Sequence, residues 1–155
     1  MHELREIEAI KRLKYRYMRC LDQKRWAELG ECFTDDARTS YGDGKYAFEG
    51  REAILGFLVA AMGRPSFLSS HRVHHPEIDL VSPTTARGTW ALEDLVLDPE
   101  RAVLIRGAAF YTDEYVKQDD RWLIAFTGYA RSFEYVEQLS ARPGLRITAG
   151  YASDA

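Results

Sequence analysis

From Leu4 to Leu21 apolar side chains return every three or four positions, at Leu4, Ile7, Ile10, Leu13, Tyr17 and Leu21. That spacing lays one stripe along a helix and predicts a helix over 3–21. Tyr17 lies on the stripe and is expected to be buried, whereas Tyr15 lies off it and is expected to face solvent. A shorter helix is predicted over 25–33, with Trp26, Leu29 and Phe33 on one side and Thr34-Asp35-Asp36 as its break. Residues 37–41 read as a strand, Gly42-Asp43-Gly44 as a tight turn, and 45–48 as the returning hairpin strand. A third helix is predicted over 51–62, with Ile54, Phe57, Leu58 and Ala61 as its stripe and Gly63-Arg64-Pro65-Ser66 as its stop.

The rest of the chain reads as strand. Four long strands are predicted near 68–81, 85–97, 102–117 and 121–134, separated by Ser82-Pro83, Asp98-Pro99-Glu100-Arg101 and Gln118-Asp119-Asp120. Long strands joined by short turns form an antiparallel meander. Helices first and strands later make an α+β domain, in which the single-striped helices cover one face of the sheet. The domain is expected over 1–134. Residues 135–155 are expected to form a tail, either disordered or resting on a neighbouring subunit.

Composition narrows the function. A chain of 155 residues suits one domain with a full core. A formal net charge of −3 offers no electrostatic reason for a nucleic acid or an anionic membrane as partner. No run approaches the ~18 apolar residues of a membrane span. The N-terminus lacks an apolar signal core, so a soluble, cytoplasmic protein is expected. Nine Tyr, seven Phe and three Trp suit a cavity lined with rings, and equally a large core. Cys20 and Cys32 are too few for a disulfide framework and read as buried free thiols.

Candidate chemistry gathers at two places. Three of the four histidines fall in Ser70-His71-Arg72-Val73-His74-His75-Pro76. Strand alternation would put His71, Val73 and His75 on one face and Arg72 and His74 on the other. The histidines then cannot act as one cluster, and a zinc site would still need a third ligand and an open position, so no metal is expected. Asp22 ends the first helix, where the macrodipole is negative and a carboxylate needs a cation. Lys24 or Arg25 would answer it at the surface, or Asp22 would cap the second helix. Alternatively it reaches a strand histidine, which fixes the imidazole tautomer and leaves the other nitrogen as a general base.

Three further groups bear on the same space. Tyr17, about one and a half turns before Asp22, would aim its phenol there, unless it is a plain core tyrosine. Asp94 shares the parity of Trp90 and Leu92: inward it is a buried acid, outward a solvated charge. Arg131 opposes the parity of Trp122 and Ile124, so it faces inward with them only if the strand carries a bulge.

The order and spacing of several segments resemble the SnoaL-like branch of the NTF2-like superfamily. The segments are Tyr17-x4-Asp22, Trp26-x6-Phe33-Thr34-Asp35-Asp36-Ala37, Phe48-Glu49-Gly50-Arg51-Glu52-Ala53-Ile54, His71 before Pro76-x-Ile78, Thr85-Ala86-Arg87-Gly88-Thr89-Trp90, and Tyr111-x3-Tyr115 with Arg121-Trp122-Leu123-Ile124. The resemblance runs from about residue 4 to 134. It implies a cone-shaped α+β barrel, in which a curved, mostly antiparallel sheet and three helices enclose an apolar pocket. Enzymes of this group, such as scytalone dehydratase, lindane dehydrochlorinase and bile-acid 7α-dehydratase, pair a helix-borne Asp with a strand-borne His. Carried over residue by residue, these fall on Asp22 and His71. The helix tyrosine falls on Tyr17, a second acid on Asp94 and a late arginine near Arg131. His75 and Tyr41 have no family counterpart and stand as pocket candidates, with Trp90 and Phe57.

The resemblance thus implies a cofactor-independent acid–base enzyme acting on a small hydrophobic cyclic molecule by elimination of water or by isomerisation. It also implies a homo-oligomer, trimer or dimer. The same fold serves two other roles: a small-ligand-binding protein without chemistry, and a structural β-type subunit of a ring-hydroxylating dioxygenase.

Overall fold

The computed structural model describes residues 2–149. Helix α1 spans His2–Asp22 and buries the stripe from Ile10 through Leu13 and Tyr17 to Leu21, while Leu4, in its first turn, is exposed. Tyr15 faces solvent. A short α2, Trp26–Gly30, leads to β1 (Phe33–Tyr41) and β2 (Tyr46–Glu49). Helix α3, Arg51–Met62, follows, and then the four long strands β3 (Leu68–Ser82), β4 (Thr85–Asp98), β5 (Val103–Gln118) and β6 (Arg121–Gln138). A 3-10 turn at Leu139–Ala141 precedes an irregular segment to residue 149. Gly150 to Ala155, the end of the expected tail, lie outside the described residues.

The six strands form one curved, unclosed sheet in the order β2-β1-β6-β5-β4-β3. Strands β3 to β6 are the expected meander, and β1 joins β6 in parallel as the single exception. Helix α1 lies against β3 and β6, and α3 against β1. The core fills the space between, with Ile10, Leu13, Tyr17, Leu29, Phe33, Ile54 and Leu58 meeting Trp90, Leu92, Tyr111, Tyr115 and Ile124. Among the described residues, no helix is long and apolar enough to cross a membrane.

Two boundaries differ from the sequence reading. Helix α2 stops at Gly30, and Phe33 opens β1, so Thr34-Asp35-Asp36 lies within a strand. The sheet wins here because the Cys32 carbonyl accepts from the Ile124 N–H at 2.8 Å and Phe33 pairs with Ile124. Strand β6 runs to Gln138, because residues 133–138 pair along 103–108 of β5.

Three bulges decide which side chains look inward. In β3, His75 and Pro76 together stand opposite Trp90, and His75 has φ of 50°. Pro76 has no N–H to give the ladder, so the pairing breaks there. Before the bulge His71 and Val73 are the shielded positions; after it Ile78 and Leu80 are. In β6, Ala125 is surplus between Ile124 and Phe126, and Ser132 is surplus between Arg131 and Phe133. The first turns Thr127, Tyr129 and Arg131 inward. The second turns Phe133 and Tyr135 outward, where both are exposed.

Candidate active site

The last turn of α1 meets the start of β3. Asp22 Oδ1 lies 2.6 Å from the His71 ring Nδ1, and Oδ2 accepts from the His71 backbone N–H at 2.8 Å. Ser69 donates its hydroxyl to Oδ1 at 2.8 Å. The other two possibilities for Asp22 are not realised. Helix α2 has no side-chain cap, and Lys24 donates to the Phe67 carbonyl at 2.7 Å. Burial pushes the Asp22 carboxyl up, but the ring and backbone hydrogen bonds and charge of His71, with Ser69, outweigh it and hold the group below its usual value. An ionised carboxylate only accepts, so His71 carries its proton on Nδ1. Among the described residues, Nε2 has no hydrogen-bond partner. The His71 side chain keeps 10% of its surface, enough for contact with a small molecule.

From His71 a path runs round the interior through a strand pairing, a run of side-chain contacts and helix α1. Asp94 stands directly opposite His71 on β4. It faces inward with Trp90 and Leu92, and takes a bidentate grip from Arg131 at 2.6 and 2.8 Å. The Ala125 bulge is what brings Arg131 to this face. Asp94 holds the guanidinium well above its ordinary range. Gly107, the β5 partner of Asp94, leaves the space: a Cβ there would lie 2.5 Å from Arg131 Nη1. The guanidinium covers the Tyr129 ring at 5.1 Å. Tyr129 packs on Tyr41 at 5.7 Å between ring centroids, and the Tyr41 and Tyr17 hydroxyls share a hydrogen bond of 2.9 Å. Tyr17 returns to Asp22 along α1. Burial raises both phenols well above their ordinary values, so they stay protonated and act as donors.

The remaining candidates divide. Phe57 stacks on Phe48 at 4.4 Å and on Tyr41 at 6.2 Å, so it backs the Tyr41 side of the path. Trp90 is wholly buried and donates its indole N–H to the Tyr115 hydroxyl at 2.9 Å, which makes it part of the core beneath. His75 does not join the pocket side. The β3 bulge turns it to solvent, where its Nδ1 lies 2.7 Å from that of His74. Among the described residues, no three His, Cys, Asp or Glu side chains are placed to hold a metal ion. A cleft of about 300 Å³ opens between Arg72, Glu93, Arg106, Phe133 and Tyr135 and touches the candidate site at Asp94 and Gly107. It reaches neither His71 nor Tyr17.

Tyr129 and two buried charges went unseen in the sequence reading. Lys14 and Asp113 are both fully buried and pair at 2.8 Å. Asp113 also accepts from Thr127 and Tyr115, each at 2.6 Å. The signal was present. Lys14 sits four residues after Ile10 and three before Tyr17, on the apolar stripe. Asp113 alternates with Tyr111 and Tyr115 on one face of β5.

Known structures share this architecture. A scytalone dehydratase-like protein from Novosphingobium aromaticivorans superposes with a TM-score of 0.79 at 22% identity, over 99% of this chain and 96% of the other. Hexachlorocyclohexane dehydrochlorinase LinA-type3 from Novosphingobium barchaimii does so with a TM-score of 0.80 at 20% identity, over 95% and 97%. The type 2 form of that dehydrochlorinase gives 0.79 at 20% identity, over 95% of each chain. At such identities the likeness establishes the fold, an NTF2-like cone. Residues 2–127 match the family model of the SnoaL-like domain, and the chain therefore belongs to the SnoaL-like family.

Proposed function

We propose that the protein is a cofactor-independent dehydratase acting on a small, hydrophobic, cyclic hydroxylated molecule. One observation carries the reading. An imidazole fixed at Nδ1 by Asp22, with Nε2 free, is held at the end of the helix that carries Tyr17, whose phenol is linked to that of Tyr41. Such a pairing supplies a base and an acid at once, which elimination requires. The names of the structural neighbours, a dehydratase and a dehydrochlorinase, are both those of eliminating enzymes and support the class.

In the proposed reaction, His71 Nε2 removes a proton from carbon. The electron pair of that C–H bond becomes the second bond of an alkene, and the adjacent C–O bond breaks. Tyr17 protonates the departing hydroxyl, which leaves as water. Tyr41 donates its own hydroxyl to the phenolate formed, and the proton on His71 returns to Tyr17 through solvent, restoring the site. Asp94 and Arg131 close the wall beside His71 as a neutralised pair. The reaction requires an apolar enclosure round these groups, which would exclude water and position the ring.

The test is a panel of cyclic hydroxyketones and polyketide-like alcohols, followed for alkene formation by ultraviolet absorbance and mass loss of one water. Turnover by the native chain that is lost in His71→Ala and in Asp22→Ala, with both variants folded, supports the reading. Full turnover in both variants overturns it.

A further inference from the structure

Lys14 and Asp113 take no part in that reaction. Yet they form the one ion pair among the described residues with both side chains wholly out of solvent. Every proton of the ammonium has a destination. One meets Asp113 Oδ2 at 2.8 Å, one meets Thr127 Oγ1 at 3.3 Å, and one faces the Tyr111 ring, 3.5 Å from its centroid. The same nitrogen lies 4.9 Å from the centroid of the Tyr17 ring. Asp113 is equally complete, held by Thr127 and Tyr115, and Tyr115 in turn by Trp90.

Stability alone does not account for such a pair. Apolar replacements of similar volume are often neutral or stabilising. What a satisfied buried network supplies is a single orientation. Here the oriented group is an ammonium set against two phenol rings, and Tyr17 carries one of the two linked hydroxyls of the candidate site.

We infer that Lys14, anchored by Asp113, is a positioning residue: its ammonium fixes the tilt of Tyr17 and Tyr111 and so aims the Tyr17–Tyr41 hydroxyl pair at the reacting substrate. The inference rests on Tyr17 being the proton donor of the reaction above. Burial chiefly, with a smaller push from the Asp113 charge, keeps that phenol protonated.

The experiment uses the full chain with labelled tyrosine rings, whose resonances are assigned from Tyr17→Phe and Tyr41→Phe. The variant is the double replacement Lys14→Met with Asp113→Leu, which removes both charges together. The expected result is a folded protein in which the Tyr17 ring flips at least about tenfold faster, the factor that a lost desolvated cation–ring contact supplies. The Tyr41 resonances shift as well. A purely structural pair would move the melting temperature and leave both rings alone, and an unchanged flip rate with superimposable Tyr41 resonances overturns the inference. If the double variant does not fold, Lys14→Met with Asp113→Asn, which keeps acceptors for Thr127 and Tyr115, is read in the same way. A failed dehydratase reading would show separately, as full turnover in His71→Ala, and would not disturb the ring measurement.

Discussion

Asp22 holds His71 at two points, its ring and its backbone, so one carboxylate fixes both the imidazole and the strand that carries it. The two residues are 49 apart in sequence and come from the end of a helix and the start of a strand.

Asp22→Asn and His71→Ala are therefore expected to differ in kind. His71→Ala removes the base and should lower turnover by about 10²–10⁴-fold with little change in folding. Asp22→Asn keeps an acceptor but loses the charge. It should lower turnover and also loosen β3, seen as faster amide exchange at His71. Unchanged exchange at that amide would refute the double hold.

Acid should expose the same carboxylate thermodynamically. Asp22 is held below its ordinary value in the folded chain. A depressed native pKa contributes stability that is present above the unfolded value, near ~3.9, and lost as pH falls through the native value. Urea midpoints measured downward from pH 5 should fall more steeply for the native chain than for Asp22→Asn. Parallel curves would count against the ionised state.

Gly107→Ala tests the other end of the path from His71. The added Cβ would come within 2.5 Å of Arg131 Nη1 and 3.1 Å of Asp94 Oδ1. Overpacking of this kind costs about 1–3 kcal/mol. For a domain of this size the melting temperature should drop by roughly 2–4 °C per kcal/mol. A variant as stable as the native chain would mean that the guanidinium moves aside freely.

Lys14→Met alone leaves Asp113 charged and buried, at a cost of about 3–5 kcal/mol. Adding Asp113→Leu should recover most of that loss. Chemical unfolding of the two variants decides it, and additive losses would contradict a coupled pair.

Both thiols should be inert. Cys20 and Cys32 are fully buried, and burial pushes the Cys32 thiol up to about 12. A thiol-disulfide reagent at pH 8 should find no reactive thiol in the native chain and two after unfolding.

Much of this was legible in the chain itself, for physical reasons that can be named. The stripe from Leu4 to Leu21 placed Tyr17 and Asp22, because helical spacing is set by geometry alone. The parity of Trp90, Leu92 and Asp94 held because β4 is regular throughout. Arg131 was readable only conditionally, since its direction depends on a bulge that leaves no mark in local composition. His75 was misplaced for a related reason: Pro76 disturbs the ladder, and simple alternation does not survive that. Helix α2 was overextended because Phe33 suits a helical stripe and a buried strand equally well. Lys14 and Asp113 escaped notice because a charge on an apolar stripe reads as an interruption until its partner, far away in sequence, is known.

The surplus residue Ala125 has a consequence for how this chain can vary. Deleting it would restore regular alternation through Ile124, Phe126 and Thr127, which keep Tyr115, Glu114 and Asp113 as partners, so Thr127 and Arg131 would stay on the inner face. What would be lost is the bend and added twist that a bulge gives its strand. The loss of one residue can thus be absorbed at this point, whereas in the regular stretch from Thr127 to Arg131 it would reverse the faces on one side of the cut.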